Sequence, residues 1–246
     1  MTVHVEFSGV DDAVTVVTLD RPERRNALDH ETLVALLDVL GQLEERSPRA
    51  VVLTGAAGHF CSGADLSGVE DAEFTALLQQ VLAGLRALPC VTLAAAEGAA
   101  LGAGTQLAVA CDLRTATPDA TFGIPAAKLG LMVDHWTVQR TALLLGPSLA
   151  RSALLAAEPV TGDAAHRVGF VHRLGPPSEA IDWAERIATL APLTIAGHKL
   201  MLDKLEEPPA ADAEVAAARD RAWGSEDLAE GLDAFRNRRT PTFGGR

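Results

Sequence analysis

Alternation and helical spacing divide the chain into a recurring order of strands, loops and helices. Val3 to Phe7 and Val14 to Leu19 are alternating or β-branched runs joined by Gly9, Asp11 and Asp12, which predicts a hairpin. An arginine-rich turn, RPERRNAL, spans Arg21 to Leu28. Asp29 then reads as the N-cap of an amphipathic helix from about His30 to Glu45, with leucines and valines at helical spacing. Ala50 to Thr54 is a short strand of buried type ended by Gly55, and Val91 to Ala96 is a second one ended by Gly98. Each runs into a small-residue loop and then a helical stretch, an α/β order in which ligands collect at strand ends. From Thr161 onward the pattern is mostly helical, with a polar Pro-rich joint at Glu206 to Pro209 and a last helix from about Ala213 to Arg236. The tail from Ala191 is expected to pack less on its own core than on a neighbour.

Composition narrows the class. A chain of 246 residues with 48% hydrophobic content can bury a sizeable core. The start, Met1 to Phe7, has neither a basic segment nor an apolar run of the kind a secretory signal needs. The most apolar stretch, Val91 to Cys111, is interrupted by Glu97, Gln106 and glycines and falls short of a membrane-spanning helix. The expectation is a soluble cytoplasmic protein. Cys61, Cys90 and Cys111 stand in apolar or small-residue surroundings without metal-type spacing, so buried reduced thiols and no metal site are expected. The net charge of -12 opposes nucleic-acid backbones and anionic membranes. Any phosphate bound here must be met by a local cluster of arginines.

Two glycine-rich loops carry the candidate chemistry. The first is FCSGADL, Phe60 to Leu66; the second is AALGAGTQL, Ala99 to Leu107, which opens a helix. Either alone is an ordinary strand-to-helix turn. Their order and separation, behind RPERRNAL, resemble the enoyl-CoA hydratase/isomerase family, also called the crotonase family. TGDAAHRVGFV from Thr161 to Val171 and EGLDAFRNRRTPTF from Glu230 to Phe243 extend the resemblance over nearly the whole chain.

That resemblance implies an α/β fold: a ClpP/crotonase-like spiral of ββα units over residues 1–190, then a helical region, 191–246, for assembly and completion of the ligand site. It implies a homotrimer or dimer of trimers. It implies an acyl-CoA ligand, with coenzyme A arriving as part of that ligand and no separate cofactor. The thioester oxygen would face the backbone amides of Ala64 and Ala103. Two fixed N–H donors suit a developing enolate, and Ala103 lies at a helix N-terminus, where an anion is favoured. Arg24 and Arg25 would meet the CoA phosphates, since a guanidinium gives charge-assisted bonds. The loop from Ser62 through Ala64, Asp65 and Leu66 would line the adenine side. Phe235 and Arg238 would complete the site, often from an adjacent subunit.

The resemblance breaks at the chemistry. The family's hydratases hold and activate water with two glutamates, and the matching positions here are Gln106 and Ala126. Glutamine exchanges no proton at neutral pH and alanine has no polar side-chain atom. Each general acid or base typically contributes about 100- to 10,000-fold, so ordinary hydration is not expected. Asp134 stands where dienoyl-CoA isomerases of the family carry an aspartate. It reads either as a proton carrier, alone or with His135, or as the N-cap of the helix through Val138 to Leu145. The pattern of Gln106, Ala126 and Asp134 resembles an actinobacterial subgroup associated with long-chain lipid synthesis. The function expected is binding of long-chain fatty acyl-CoA without ordinary hydratase chemistry. An isomerase using Asp134, and after it an enoyl-CoA hydratase, are the alternatives.

Overall fold

The computed structural model describes residues 2–65, 72–205, 220 and 223–242. The hairpin forms as its alternation predicts: β1 (Val3–Ser8) pairs antiparallel with β2 (Val14–Leu19), Val5 opposite Val17. Helix α1 (His30–Arg46) starts at Asp29, whose side chain accepts the Thr32 N–H. It is followed by β3 (Ala50–Gly55), α2 (Ala72–Ala87), β4 (Val91–Ala96), β5 (Ala99–Leu101) and α3 (Ala103–Ala110). Next come β6 (Leu113–Ala116), β7 (Thr121–Gly123), α4 (His135–Leu145), α5 (Pro147–Leu155), β8 (Val160–Thr161), α6 (Gly162–Arg167) and β9 (Arg173–Leu174). Helices α7 (Pro177–Ala188), α8 (Pro192–Leu205) and α9 (Glu226–Arg236) follow. The main sheet has the order β1-β2-β3-β4-β6-β9 and is parallel apart from the β1–β2 hairpin; a smaller sheet has the order β5-β7-β8.

Both faces of the main sheet are covered, so its central strands have no polar face. Val17, Leu19, Val51, Leu53, Ala94 and Ala96 point into the larger core with α1 and α2. The alternate residues Val14, Val16, Val52, Leu93 and Ala95 form a second core with Ala180, Ala184 and Ile187 of α7. This period-2 split of one strand set between two cores follows from the pleat. The alanines of α7 let that helix lie close to the sheet.

Helix α3 is buried along its whole length. Its last carbonyls have no intrahelical partner and no water to turn to. Two arginines serve them. Arg114 on β6, 2% exposed, donates to the carbonyls of Ala108 (3.1 Å), Cys111 (2.9 Å) and Phe170 (2.8 Å). Arg140 on α4 donates through Nε to Val109 O at 3.0 Å. Burial lowers the Arg114 pKa to about 10, still well above neutrality. The three cysteines are buried free thiols, and burial raises their pKa values to about 11 or 12.

The C-terminal region departs from expectation in two ways. A single helix to Arg236 does not form through 224–225: Gly224 and Ser225 interrupt it, and the Ser225 hydroxyl caps α9 by accepting the Leu228 N–H. The tail also packs on its own chain more than expected. Leu228 and Leu232 join the main core, Trp223 Nε1 donates to Met132 O at 2.8 Å, and buried Lys199 pairs with Asp112 at 2.8 Å. On helix α8, Leu193, Leu200, Met201 and Leu202 are exposed. The Pro-rich joint at Glu206 to Pro209 lies outside the described residues. Among the described residues no helix is long and apolar enough to cross a membrane.

Arg114→Leu should strand several buried carbonyls at once and lower the unfolding free energy in urea by at least about 3 kcal/mol. Arg114→Lys should not restore it, since an ammonium cannot fork across the same acceptors; a loss below about 1 kcal/mol would contradict this account. A second expectation concerns His172. Partial withdrawal of its ring from water, and then the charge of Arg114, lower its pKa from 6.5 to about 4, and Nδ1 accepts the Arg114 N–H at 3.2 Å. The folded state therefore binds fewer protons than the unfolded state between those values, so stability falls as pH drops from 6.5 toward 4. His172→Gln should flatten that part of the stability-versus-pH curve, and an unchanged slope would contradict the assignment.

Candidate functional site

The loops after β3 and β5 lie against one another because the fold threads them together. Cys61 N donates to Ala99 O and Leu101 N to Cys61 O, both within 2.9 Å, forming a short parallel bridge between the loops. Leu28 bridges Ala64 from the other side, using Gly63 O as acceptor and Asp65 N as donor. Two glycines allow the approach. Gly63 has a φ of 114°, and a Cβ there would stand 3.0 Å from Leu101 O and 3.8 Å from Ala103 N. A Cβ at Gly104 would stand 2.2 Å from Cys61 O.

Among the described residues no acceptor takes the Ala64 or Ala103 N–H. Both residues line a cleft of about 500 Å3. Ala103 opens α3, whose terminal N–H groups carry the positive end of the helix dipole. Thr105 holds that end in place by donating to Ala100 O at 2.6 Å and accepting the Gly123 N–H at 2.9 Å. The two donors expected from the sequence are therefore brought together, without a partner among the described residues, in the lining of one cleft.

The RPERRNAL turn forms the cleft's mouth. Asn26, 1% exposed, accepts the Arg21 N–H and donates to the carbonyls of Ala56 and His59, which ties the turn to the end of β3. Arg25 and Asn26 hold positive φ values of 50° and 57° to make the bend. Arg21 is spent inside, on Ala27 O and the carboxylates of Asp29 and Asp65. Arg24 and Arg25 are exposed and line the cleft, as does Ser62, whose hydroxyl donates to Arg24 O. Asp65 lines the cleft too, but its amide serves Leu28 and its carboxylate serves Arg21. Leu66 lies outside the described residues.

Phe235 of α9 lines the same cleft; Arg238 does not. The chain turns at Arg238, with a φ of 53°, while Arg239 is held by Glu230 and Asp233 at 2.6 to 2.7 Å. Those bonds keep the Glu230 carboxyl well below the usual carboxylate range. Arg238 instead borders a separate depression with Lys128 and Leu155.

At the inner wall, Gln106, Ala126 and Asp134 all line the cleft. Asp134 is the N-cap of α4: Oδ1 accepts the Thr137 N–H at 3.0 Å and Oδ2 the Thr137 hydroxyl at 2.6 Å. Gln106 Nε2 donates to Thr137 Oγ1 at 2.8 Å and lies 3.4 Å from Asp134 Oδ2. Thr137 is the residue sequence reasoning missed, although the spacing of Asp134 and Thr137 is that of a capping pair. His135 is not among the residues lining the cleft. Trp136 packs against the main core, with the Arg86 guanidinium 5.0 Å from its ring centre. Most of the remaining wall is apolar, from Phe74, Leu78, Ile124, Leu131, Met132 and Trp223, with Thr75 and Gln79 beside them.

Residues 9–246 match the protein family described as Enoyl-CoA hydratase/isomerase. The chain is 40% identical over 238 residues to the "Probable enoyl-CoA hydratase echA6" of Mycobacterium tuberculosis, covering 95% of this chain and 97% of that protein. It is 34% identical over 245 residues to the 2,3-dehydroadipyl-CoA hydratase of Escherichia coli, covering 95% and 96% of the two. Among solved structures, an enoyl-CoA hydratase/carnithine racemase from Magnetospirillum magneticum shares 29% identity with a TM-score of 0.78, covering 100% of this chain and 96% of that one. Methylmalonyl-CoA decarboxylase, at 23% identity, shares the fold with a TM-score of 0.91 over 100% and 99% of the two chains.

Gly104→Ala should force Cys61 O away and spread the two amide-bearing loops, lowering stability by about 1 to 3 kcal/mol in urea unfolding. Gly41→Ala, on the exposed side of α1 with open space around it, should be neutral or stabilising by up to about 1 kcal/mol. Equal effects of the two would refute the close approach.

Proposed function

Because the chain belongs to the enoyl-CoA hydratase/isomerase family, we propose that it binds long-chain fatty acyl-CoA without ordinary hydratase chemistry and serves lipid metabolism. Its architecture is the crotonase fold. The observation that carries the proposal is the inner wall: Gln106 and Ala126 supply no proton donor or acceptor of catalytic type, and Asp134 is engaged as a helix cap. The donor side of the site is intact, with the Ala64 and Ala103 amides free to hold a thioester oxygen.

The rest of the ligand is assigned by chemistry. Arg24 and Arg25 at the mouth suit the CoA phosphates in a protein whose overall charge repels them. The apolar wall from Phe74 to Trp223 suits an acyl chain rather than a polar one. The exposed Leu193, Leu200, Met201 and Leu202 on α8 support a homotrimer or a dimer of trimers, and Arg238 is assigned to a neighbour's CoA. A cytoplasmic location belongs to the same reading. A second reading, an acyl-CoA isomerase with Asp134 moving the proton, has in its favour that Asp134 lines the cleft. The engagement of both its oxygens by Thr137 favours the first.

Calorimetry with hexadecanoyl-CoA and mass spectrometry of 2-hexadecenoyl-CoA after long incubation test the proposal. Saturable binding with the enoyl thioester recovered unchanged is the expected outcome. Rapid formation of the isomerised thioester, lost in Asp134→Asn, would overturn it in favour of the isomerase reading, and rapid formation of the hydrated thioester in favour of an enoyl-CoA hydratase; no binding of either thioester would remove all three.

A further inference from the structure

Strand β1 is an edge of the main sheet, and hydrogen-bond parity fixes which of its backbone groups look outward. Asp20 N donates to Thr2 O at 2.9 Å, one residue beyond the Val3–Leu19 pair of the ladder. Bonded pairs alternate in an antiparallel ladder, so His4, Glu6 and Ser8 also exchange bonds with β2. The N–H and C=O groups of Val3, Val5 and Phe7 therefore point away from the sheet, and among the described residues no group outside the ladder bonds to them. The edge is poorly protected. VHVEFS contains no Pro, Gly or Lys, and its ladder with β2 runs through all six residues without a bulge. Phe7 stands 47% exposed on it, with the Arg46 guanidinium 3.8 Å from its ring centre.

We propose that β1 docks a second copy of this chain, the two edges pairing antiparallel about a two-fold axis at Val5. The pairing uses residues of neither the cleft nor α8, so it goes beyond the acyl-CoA reading and stands or falls separately from it. Only registers that set outward residues against outward residues complete the bonds, and the candidates are centred on His4, Val5 or Glu6. Centred on His4, the two histidines face each other and Phe7 is left without a partner. Centred on Glu6, two carboxylates stand directly opposite, which is destabilising. Centred on Val5, all three outward residues of each copy are paired. Phe7, exposed in the single chain, then gains Val3 of the other copy as its cross-strand neighbour. His4 of each copy, already held to its own Asp20, faces Glu6 of the other in a non-bonded pair, the kind with the closer side chains. The contact is the same on both sides of the axis, so it closes on itself as a pair and does not propagate into a fibre.

Light scattering of the full-length protein and of Val5→Pro is the first test. An even number of subunits is expected. Val5→Pro should halve the mass, because the N–H it removes points outward and the ladder with β2 keeps its bonds. Circular dichroism checks that the variant folds. Cross-linking tests the register: His4→Cys and Glu6→Cys proteins are mixed, exchanged in mild urea and oxidised. Facing Cα atoms about 4.5 Å apart admit a disulfide, and the three native thiols are buried. A linked dimer should form in the mixture and in neither protein alone. A monomer or trimer, an unchanged mass in folded Val5→Pro, or a mixture that links no better than the separate proteins would overturn the inference. Where Val5→Pro fails to fold, the cross-linking decides.

Discussion

A short helix buried on every side has to satisfy both of its ends without water, and most of this structure can be read as the answer to that requirement for α3. At the C-terminal end the answer is cationic, with Arg114 and Arg140 taking the carbonyls of Ala108, Val109 and Cys111. At the N-terminal end the fold leaves the Ala103 amide without a partner among the described residues and places it on a cleft. The two ends reinforce each other. Guanidinium groups at the negative end anchor the helix, and an anchored helix presents a rigid donor at the positive end. The site is therefore a terminus that the core has been built to hold open.

The second donor depends on packing between loops. Ala64 reaches the cleft because Leu28 takes hydrogen bonds on either side of it, from Asp65 and to Gly63, and so turns the Ala64 amide away from the chain. That places a demand on the arginine-rich turn that carries Leu28. Asn26 meets it by binding three backbone groups from the turn and from the segment after β3. The cluster of arginines in RPERRNAL thus divides its labour: Arg21 is structural, while Arg24 and Arg25 stay on the surface of the cleft.

Local features were legible in the sequence and distant pairings were not. The hairpin, the Asp29 cap, the strands ended by Gly55 and Gly98 and the two glycine loops depend on neighbours within a few residues, and each appears where its pattern predicts. The break at Gly224 and Ser225 was also locally encoded, as a flexible residue before a capping hydroxyl. Arg114 could not be read: nothing in LRTA announces an arginine that will reach Phe170 and the end of another helix. The same holds for Thr137, whose role arises only when α4 is laid beside α3. The C-terminal segment divides its apolar residues in a way that its spacing does not reveal. Leu228 and Leu232 join the main core within the chain, while Leu193, Leu200, Met201 and Leu202 of α8 are exposed.

On the binding reading, the inner wall also explains why an oxyanion-type site need not imply turnover. Two amide donors strengthen as charge grows on a thioester oxygen, but they lower a barrier only if some group moves the proton that makes the charge grow. Gln106 and Ala126 move none, and Asp134 is committed to Thr137 and Gln106. The same donors then act on the ground state, where they hold the thioester instead of activating it. What distinguishes one acyl chain from another at such a site is no longer the chemistry it can undergo. It is how well the chain fits the apolar residues that line the cleft, from Phe74 and Leu78 to Met132 and Trp223.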